Sequence, residues 1–279
     1  MYISQRAWVE LDRALHAYRG PDAYADVLEP WPAANADEGR WLADFAGRTA
    51  TRRGAATDED LCRLYAASRV AQVLLLRFQA GRVDRTDWPG PAVTVEGYRV
   101  FLEAVGFHVP EVAAFHPFYH EVVAAHAAQS AEHPVEVVEP VWPPLMLGDL
   151  MVCRGGAVVA GGTEHLDPAV AEGSTLFWAH RRKNRPYDDP SHGWGSNSQW
   201  RTRLRRVYRT PAGFEYNADA PESLTGATGT VDGFDAAAMI EVVRHRCRIR
   251  ATADADLYPY RYSFTEAAEP SGATAPAAA

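Results

Sequence analysis

The run His116-Pro-Phe-Tyr-His120-Glu121 contains the residue types that bind a transition metal. On a continuous helix His116 and His120 share a face, so both imidazoles could bind one ion. Glu121 is the candidate carboxylate ligand, because two histidines plus a carboxylate suit non-haem iron or zinc. The glutamate follows the second histidine, which differs from the HExxH motif. Further candidate ligands, from other segments, are Glu164, His165, His180 and His192.

The same histidines have two other interpretations. His116 and His120, together with His192, could act as catalytic acid–base groups, because imidazole changes its charge near neutral pH. The alternative is a pair of half-buried histidines that pack against the neighbouring aromatic side chains. Asp188 and Asp189 beside His192 form a lesser acid–base candidate, although an Asp-Asp-Pro run is more often a turn.

Segment 180–209 is a basic band, with nine basic residues, two acidic ones and a net charge of +7 in a chain of net charge −8. If residues 201–205 form a β-strand, Arg201, Arg203 and Arg205 project from one face as planar donors for a carboxylate or phosphate. The rest of the chain carries a charge of −15. The alternative is therefore a band that is solvated or salt-bridged to acidic neighbours.

The band is split by a polar loop, residues 191–200, whose glycines permit unusual backbone conformations. Its tryptophans would supply flat apolar walls and its amide and hydroxyl groups would orient a ligand. The spacing matches neither G-x-S-x-G nor the phosphate-binding glycine motifs, and a closed surface loop is the structural alternative. The candidate substrate-binding residues are Trp194, Asn197, Ser198, Trp200, Arg201, Arg203 and Arg205.

Composition is that of an ordinary globular protein of 279 residues, with 47% apolar and 23% charged residues. The three cysteines are far apart, which favours buried thiols over a zinc ribbon or a disulfide framework. The first residues show a helical period and no signal-peptide pattern. The longest apolar run, residues 73–76, is far shorter than the roughly 20 residues of a membrane span. These features predict a cytoplasmic protein without a membrane partner.

The first half of the chain has the spacing of α-helices. Apolar residues recur every three or four positions in residues 8–18, around 40–46 and in 94–105. The clearest helix begins at the N-cap Thr57 and ends by Gly81, and its apolar surface on several sides predicts a central core helix. A further helix is predicted from Pro110 or Pro117 to about residue 129, because proline suits a first helical turn.

The sequence pattern changes after residue 133, where apolar and polar residues alternate and predict strands. Strands are predicted in residues 135–140, 145–160, 176–179 and 200–216. A hairpin is predicted at Gly155-Gly156, within the second of these segments. Residues 232–247 have a helical period. We therefore predict an α+β fold, with a helical part (1–133), a mixed and mainly antiparallel part (134–265) and a disordered tail (266–279). A single integrated domain is the alternative.

These patterns favour an enzyme that acts on a small anionic or aromatic molecule. Its pocket would be lined by arginine and tryptophan, and the metal-dependent version would use iron or zinc. One alternative is a module whose band 181–209 binds the phosphates of a nucleic acid, although the chain's overall acidity opposes that. Another is a protein-interaction factor with exposed tryptophan and arginine hot spots.

Overall fold

The computed structural model describes residues 3–49, 56–81, 88–191, 199–252 and 259–268. Its helices lie mainly in the N-terminal half, and the C-terminal half contains mixed sheets with mostly antiparallel strands. This confirms the predicted α+β class. None of the described helices is long and apolar enough to cross a membrane.

Helices account for most of residues 3–105. Short 3-10 helices cover Ile3–Gln5, Leu75–Phe78 and Pro259–Arg261, and a π-helix covers Tyr24–Leu28. The described α-helices are α1 (Arg6–Ala17), α2 (Trp31–Ala34), α3 (Ala36–Thr49), α4 (Asp58–Leu74), α5 (Val95–Val105), α6 (Pro168–Gly173) and α7 (Ala236–His245).

Helix α4 is the central helix of the fold, as the sequence predicts. Every residue from Asp60 to Leu74 except Arg63 is buried. A capping box begins the helix: the Thr57 hydroxyl accepts from the Asp60 N–H at 3.1 Å, and the Asp60 carboxylate accepts from the Thr57 N–H at 3.0 Å. The α-helix ends at Leu74 and continues as a 3-10 turn, so it stops before the predicted Gly81.

Replacing Thr57 with alanine is expected to lower the free energy of unfolding by about 1 kcal/mol, because the Asp60 N–H loses its acceptor. Urea denaturation monitored by circular dichroism measures the change. Thr57→Ser keeps a hydroxyl at the cap and should remain within about 0.5 kcal/mol of the wild type. Equal destabilisation by both substitutions would contradict a capping role.

The strands form two main sheets and two small ones. A six-stranded sheet has the order β10-β13-β9-β8-β4-β3, and a three-stranded sheet has the order β1-β5-β2. Strands β11 and β12 pair with each other, as do β6 and β7. The described strands are β1 (His120–Ala127), β2 (Glu136–Trp142), β3 (Leu145–Leu147), β4 (Leu150–Cys153), β5 (Gly155–Gly161), β6 (Leu176–Phe177), β7 (Tyr187–Asp188), β8 (Tyr208–Thr210), β9 (Gly213–Tyr216), β10 (Glu222–Ser223), β11 (Thr230–Val231), β12 (Phe234–Asp235) and β13 (Tyr262–Ala267).

The predicted helix from Pro110 or Pro117 to residue 129 is wrong, because residues 120–127 form strand β1. This strand pairs in parallel with β5, so that Glu121 lies opposite Gly156. The prolines suggested the first turn of a helix, but the β-branched Val122 and Val123 suit the pleated surface that β5 offers. Pairing with a strand some 35 residues away therefore overrode the local preference.

The predicted hairpin at Gly155-Gly156 is also wrong. The hairpin joins β3 to β4 at Gly148 instead, where φ is 57°. The two glycines lie inside β5, and a Cβ on Gly156 would come within 2.5 Å of the Trp142 ring. Between β4 and β5 the chain leaves the six-stranded sheet and enters the three-stranded one, and Arg154 is the residue at this crossing.

Two other boundaries differ from the prediction. Residues 201–207 are irregular and β8 begins only at Tyr208, so Arg201, Arg203 and Arg205 do not lie on a strand. The predicted tail begins too early, because Glu266 and Ala267 complete β13. Residues 269–279 of that tail lie outside the described residues.

The largest apolar cluster includes both parts of the chain. Trp8 and Leu64 from the helical part belong to the same cluster as Leu150, Val152 and Tyr208 from the mixed part. The cluster is therefore continuous across residue 133, where the sequence predicts the boundary between the two parts. The cysteines are buried and free, as predicted.

Candidate functional site

Acidic partners neutralise much of the basic band. Exposed ion pairs join Arg203 to Asp58 at 3.1 Å and Arg209 to Asp149 at 3.0 Å. Exposed pairs of this kind contribute little stability. Four further members pair with other groups: Arg182 with Glu121, Arg206 with Asp219, Arg205 with the ring of Tyr260, and Lys183 with the backbone carbonyls of residues 76 and 89.

Arg203 and Arg205 line the same small cavity, which we call the arginine cavity, whereas Arg201 is exposed and does not line it. The structure thus brings together two of the three arginines that the sequence suggested. The cavity encloses about 20 Å³, which is room for one water molecule. Its walls are Tyr65, Ser68, Gln72, Val152, Trp178, Ala179, Asp189, Pro190, Arg203, Leu204, Arg205 and Arg246.

A buried polar network borders this cavity. Asp189 Oδ1 accepts from the Tyr65 hydroxyl at 2.6 Å and from the Ser191 N–H at 2.9 Å. His180 Nδ1 lies 3.2 Å from Asp189 Oδ2 and interacts with this carboxylate oxygen. The His180 N–H donates to the Gln72 side chain at 2.6 Å, which ties this segment to α4. We call these residues, with Arg69, the His180 network.

Arg69 of α4 determines the tautomer of His180. Its Nη2 lies 3.1 Å from His180 Nε2, and Nη1 donates to Ser191 Oγ at 3.4 Å. Because a guanidinium can only donate, His180 Nε2 accepts and the ring proton is assigned to Nδ1, which faces Asp189. The Arg69 guanidinium also lies over Trp200, 4.9 Å from its ring centroid. Trp200, predicted as a pocket wall, thus supports a member of the network.

Burial and hydrogen bonds set the charges of the network at neutral pH. Burial, with the adjacent Arg69, lowers the pKa of His180 to about 3, so the imidazole is neutral. Burial would raise the pKa of Asp189, but His180, Tyr65 and the Ser191 N–H outweigh it and hold that pKa well below its usual range. Burial and the Asp189 charge raise the pKa of Tyr65 well above its usual value. The carboxylate is therefore ionised and the phenol protonated.

The backbone on both sides of His180 is in an unfavourable conformation. Trp178 has φ 54° and Arg181 has φ 55°, in the left-handed region that bulky residues rarely occupy. Such conformations cost about 1–3 kcal/mol each and occur most often at functional sites. Among the described residues, the buried Nε1 of Trp178 has no hydrogen-bond partner, whereas His180 Nδ1 and Asp189 Oδ2 face each other at 3.2 Å.

Neither His116 nor His120 lies on a helix: His116 comes just before a turn, and His120 is the first residue of β1. The His120 N–H donates to the His116 carbonyl at 2.9 Å. Each ring accepts through Nδ1, His116 from the Phe118 N–H at 3.1 Å and His120 from the His116 N–H at 3.2 Å. Burial lowers the pKa of His116 to about 4 and also lowers that of His120, so both are neutral near pH 7.

His116 lines a groove of about 800 Å³, which we call the histidine groove, together with Phe115, Phe214 and His245. Glu164 and His165, two of the alternative ligands, line the same groove. The groove and the arginine cavity share no lining residue. In the described part of the chain, therefore, His116 and the arginines do not form the single site that the sequence suggested.

Glu121, the predicted carboxylate ligand, pairs with an arginine instead. Its two oxygens accept from Arg182 Nε at 2.7 Å and Nη2 at 2.9 Å, and both side chains are buried. No group of three or more His, Cys, Asp or Glu side chains that could hold a metal ion occurs within the described ranges. His192, Trp194, Asn197 and Ser198 lie outside those ranges.

Comparisons with protein-family models, with curated proteins and with solved structures find no match to this chain. Function is therefore inferred from the geometry around His180.

Sequence reasoning missed the contribution of α4 to this site. It treated Tyr65 as a core residue and did not consider Arg69 or Gln72. The signal was present, because Tyr65, Ser68, Arg69 and Gln72 are three and four residues apart and form a polar stripe on an otherwise apolar helix. A buried helix that carries a charged residue needs a partner for it. Here the partners come from residues 180–200.

Proposed function

We propose that this chain is an enzyme that acts on a small anionic or aromatic molecule at the arginine cavity. The observation that carries the proposal is the buried indole N–H of Trp178, which lacks a hydrogen-bond partner among the described residues and lies with Asp189 in the wall of the cavity. Buried polar atoms in folded proteins nearly always have a hydrogen-bond partner, so such a group indicates a place that a ligand or ordered water completes.

The charges around the cavity favour an anionic group. Arg203, Arg205 and Arg246 contribute three positive charges to the walls, against the single carboxylate of Asp189. Guanidinium groups bind carboxylates and phosphates through paired N–H donors. Trp178 and Tyr260 meet edge to face at 5.1 Å beside the cavity, and their rings suit a planar substrate.

The His180 network offers a fixed carboxylate for the polar groups of a substrate. The ionised Asp189 lies in the cavity wall, and the neutral His180, whose Nδ1 is 3.2 Å from Asp189 Oδ2, orients it. Perturbed pKa values and strained backbone cluster at functional sites more often than elsewhere. Both features occur together here, which favours an enzyme over a passive binding surface.

The size of the cavity determines how a ligand enters. Only one water fits in the space present, so a substrate must displace a wall side chain. The Arg203 side chain is 60% exposed and forms only a surface ion pair, which makes it the easiest wall group to move. An anionic substrate that replaces Asp58 as its partner would keep Arg203 paired.

Arg205→Gln is expected to weaken the binding of an anionic ligand by about 10- to 100-fold, because a hydrogen bond to a charged group contributes about 1.5–3 kcal/mol. A panel of aliphatic carboxylates, aromatic carboxylates and phosphate monoesters would be screened by thermal shift, and hits titrated by calorimetry. Arg201→Gln is the matched control, because Arg201 belongs to the same band but does not line the cavity.

Equal effects of the two substitutions, or a panel in which no compound shifts the midpoint, would contradict the proposed site. Each hit would then be incubated with the protein and followed by mass spectrometry. Conversion of a hit that depends on Asp189, tested with Asp189→Asn, supports the enzyme proposal. Binding without conversion of any hit would instead identify a binding module.

A further inference from the structure

A second set of buried charges lies outside the arginine cavity, around Glu121. Arg154, Arg182 and Arg185 are each at most 2% exposed, and Arg246 is 8% exposed. Burial would raise the pKa of Glu121, but Arg182, Arg185 and Arg246 outweigh it and lower that pKa. We call the four arginines the core arginine cluster. It lies where β1 begins, where β4 passes into β5, and where α7 ends.

Two members of the cluster make no hydrogen bond to a carboxylate or carbonyl oxygen of the described residues. The side-chain nitrogens of Arg154 have no hydrogen-bond partner there, and those of Arg185 meet only the weakly accepting Cys247 thiol. Arg182, by contrast, occupies both oxygens of Glu121. Burial, aided by the neighbouring Arg246, lowers the pKa of Arg154 only to about 9, so this guanidinium is still charged at neutral pH.

Within the described ranges, the side chains next to these two guanidinium groups are poor hydrogen-bond acceptors. The Arg154 guanidinium lies 5.9 Å from the centroid of the Tyr216 ring, whose face attracts a cation but accepts no conventional hydrogen bond. Arg185 lies beside the Cys247 thiol, which is a weak acceptor. Burial raises the pKa of that thiol while Arg185 and Arg154 oppose the rise, so both guanidinium groups act on the same sulfur.

A buried charge without a compensating partner lowers the stability of the folded protein. Arg154 and Arg185 are two such charges, and both act on the Cys247 sulfur. Removing one partner from a buried ion pair typically costs about 3–5 kcal/mol, because the remaining charge is uncompensated. A bound anion with several oxygens would compensate both guanidinium groups and accept from their N–H donors. Chloride would supply charge but lacks the paired oxygens that match a planar guanidinium.

We propose that Arg154 and Arg185 bind a small oxyanion in the protein core, beside Cys247 and the start of β1. The ligand is either an inorganic phosphate or sulfate, or the carboxylate or phosphate group of a larger metabolite. This site is distinct from the arginine cavity, to which Arg246 alone of the cluster contributes.

The first experiment identifies the anion in the purified full-length protein. Protein dialysed against chloride buffer is denatured, and the filtrate is analysed by ion chromatography and mass spectrometry. Release of phosphate or sulfate in stoichiometric amount points to the inorganic source, and release of an organic acid or phosphate ester points to the metabolite. An anion that exchanges during dialysis is detected by the second experiment.

The second experiment compares thermal denaturation in phosphate and in chloride at equal ionic strength. Phosphate at a hundredfold excess over Kd is expected to raise the wild-type midpoint by about 5 °C or more. Arg154→Met and Arg185→Met should lose most of this rise, while the exposed control Arg99→Met keeps it. Methionine is uncharged and of similar length, so these variants relieve the unpaired charge and should still fold.

The proposal is overturned if the wild type releases no oxyanion and phosphate raises its midpoint no more than chloride. It is also overturned if Arg154→Met and Arg185→Met retain the bound anion or the full phosphate effect. If either variant fails to fold, the two wild-type measurements test the proposal by themselves: the release of an oxyanion on denaturation and the stabilisation by phosphate.

Discussion

Replacing Glu121 with glutamine is expected to lower the free energy of unfolding by about 3–5 kcal/mol, which is the largest effect of a single substitution that we predict. Glu121 and Arg182 form a bidentate pair in the core, with both side chains at most 4% exposed. Glutamine has nearly the same shape, so the packing is kept and the charge of Arg182 is left uncompensated. Arg154, Arg185 and Arg246 add to that uncompensated charge.

The loss also reaches the His180 network. Arg182 Nη1 donates to the His180 carbonyl at 2.9 Å, so the Glu121 pair anchors the strained segment on both sides of that residue. Urea denaturation measures the stability, and the thermal midpoint should fall by about 10 °C. The control is Glu10→Gln, which breaks an exposed ion pair with Arg6 and should change stability by less than about 0.5 kcal/mol.

A double variant separates the pair from the packing around it. Glu121→Leu with Arg182→Met removes both charges, and it should be more stable than Glu121→Gln, because no charge of this pair remains unpaired. If Glu121→Gln were as stable as Glu10→Gln, Glu121 and Arg182 would not form the buried ion pair that the structure describes.

Acidification from pH 7 to pH 5 is expected to destabilise the protein through its buried histidines. His180 has a pKa of about 3 when folded and about 6.5 when unfolded. Below about pH 6.5 the unfolded chain binds a proton that the folded protein does not accept until about pH 3. Stability is therefore lost as pH falls, with a slope that approaches about 1.4 kcal/mol per pH unit for this group.

Other buried histidines act in the same direction. Burial lowers the pKa of His116 to about 4 and also lowers those of His120 and His245. The lowered pKa of Asp189 contributes stability that is present above about pH 4 and lost only at lower pH, so it does not affect this window. Burial raises the pKa of Asp12, which acts in the opposite direction, so the change in slope on replacing a single histidine is what reports on that histidine.

Urea unfolding at pH 7, 6 and 5 measures the slope. His180→Gln is expected to reduce the slope by an amount that corresponds to about one proton taken up on unfolding, because glutamine does not titrate. The glutamine side-chain oxygen can still accept a hydrogen bond from Arg69. The control His126→Gln removes an exposed histidine of β1 and should keep the slope of the wild type. An unchanged slope in His180→Gln would mean that His180 is not neutral and buried in the folded state.

Residue types and their local spacing were sufficient to predict the helix ends, because the capping interactions lie within each helix. Thr57 and Asp60 are three residues apart and form the capping box, and Thr94 and Gly106 begin and end α5 as the sequence indicates. These interactions are between neighbours along the chain, so residue types and spacing are enough to predict them.

Local signals failed where pairing is between distant segments. Residues 120–127 have the composition of a helix, yet they form β1 because β5 provides a parallel partner. The histidine pair was predicted from helical spacing and therefore has a different geometry in the structure. The row of three arginines likewise depended on a strand that does not form, although Arg203 and Arg205 still line one cavity.

The sequence by itself determined the α+β class, the central helix, and the region where charged and aromatic residues concentrate. Only the tertiary structure decided which of them meet. It joined Arg69 of α4 to His180 and Trp200, paired Glu121 with Arg182, and buried Arg154 and Arg185 near Cys247. The reason is physical: the energy of a charge depends on its burial and its partners, and both are set by contacts between residues far apart in the chain.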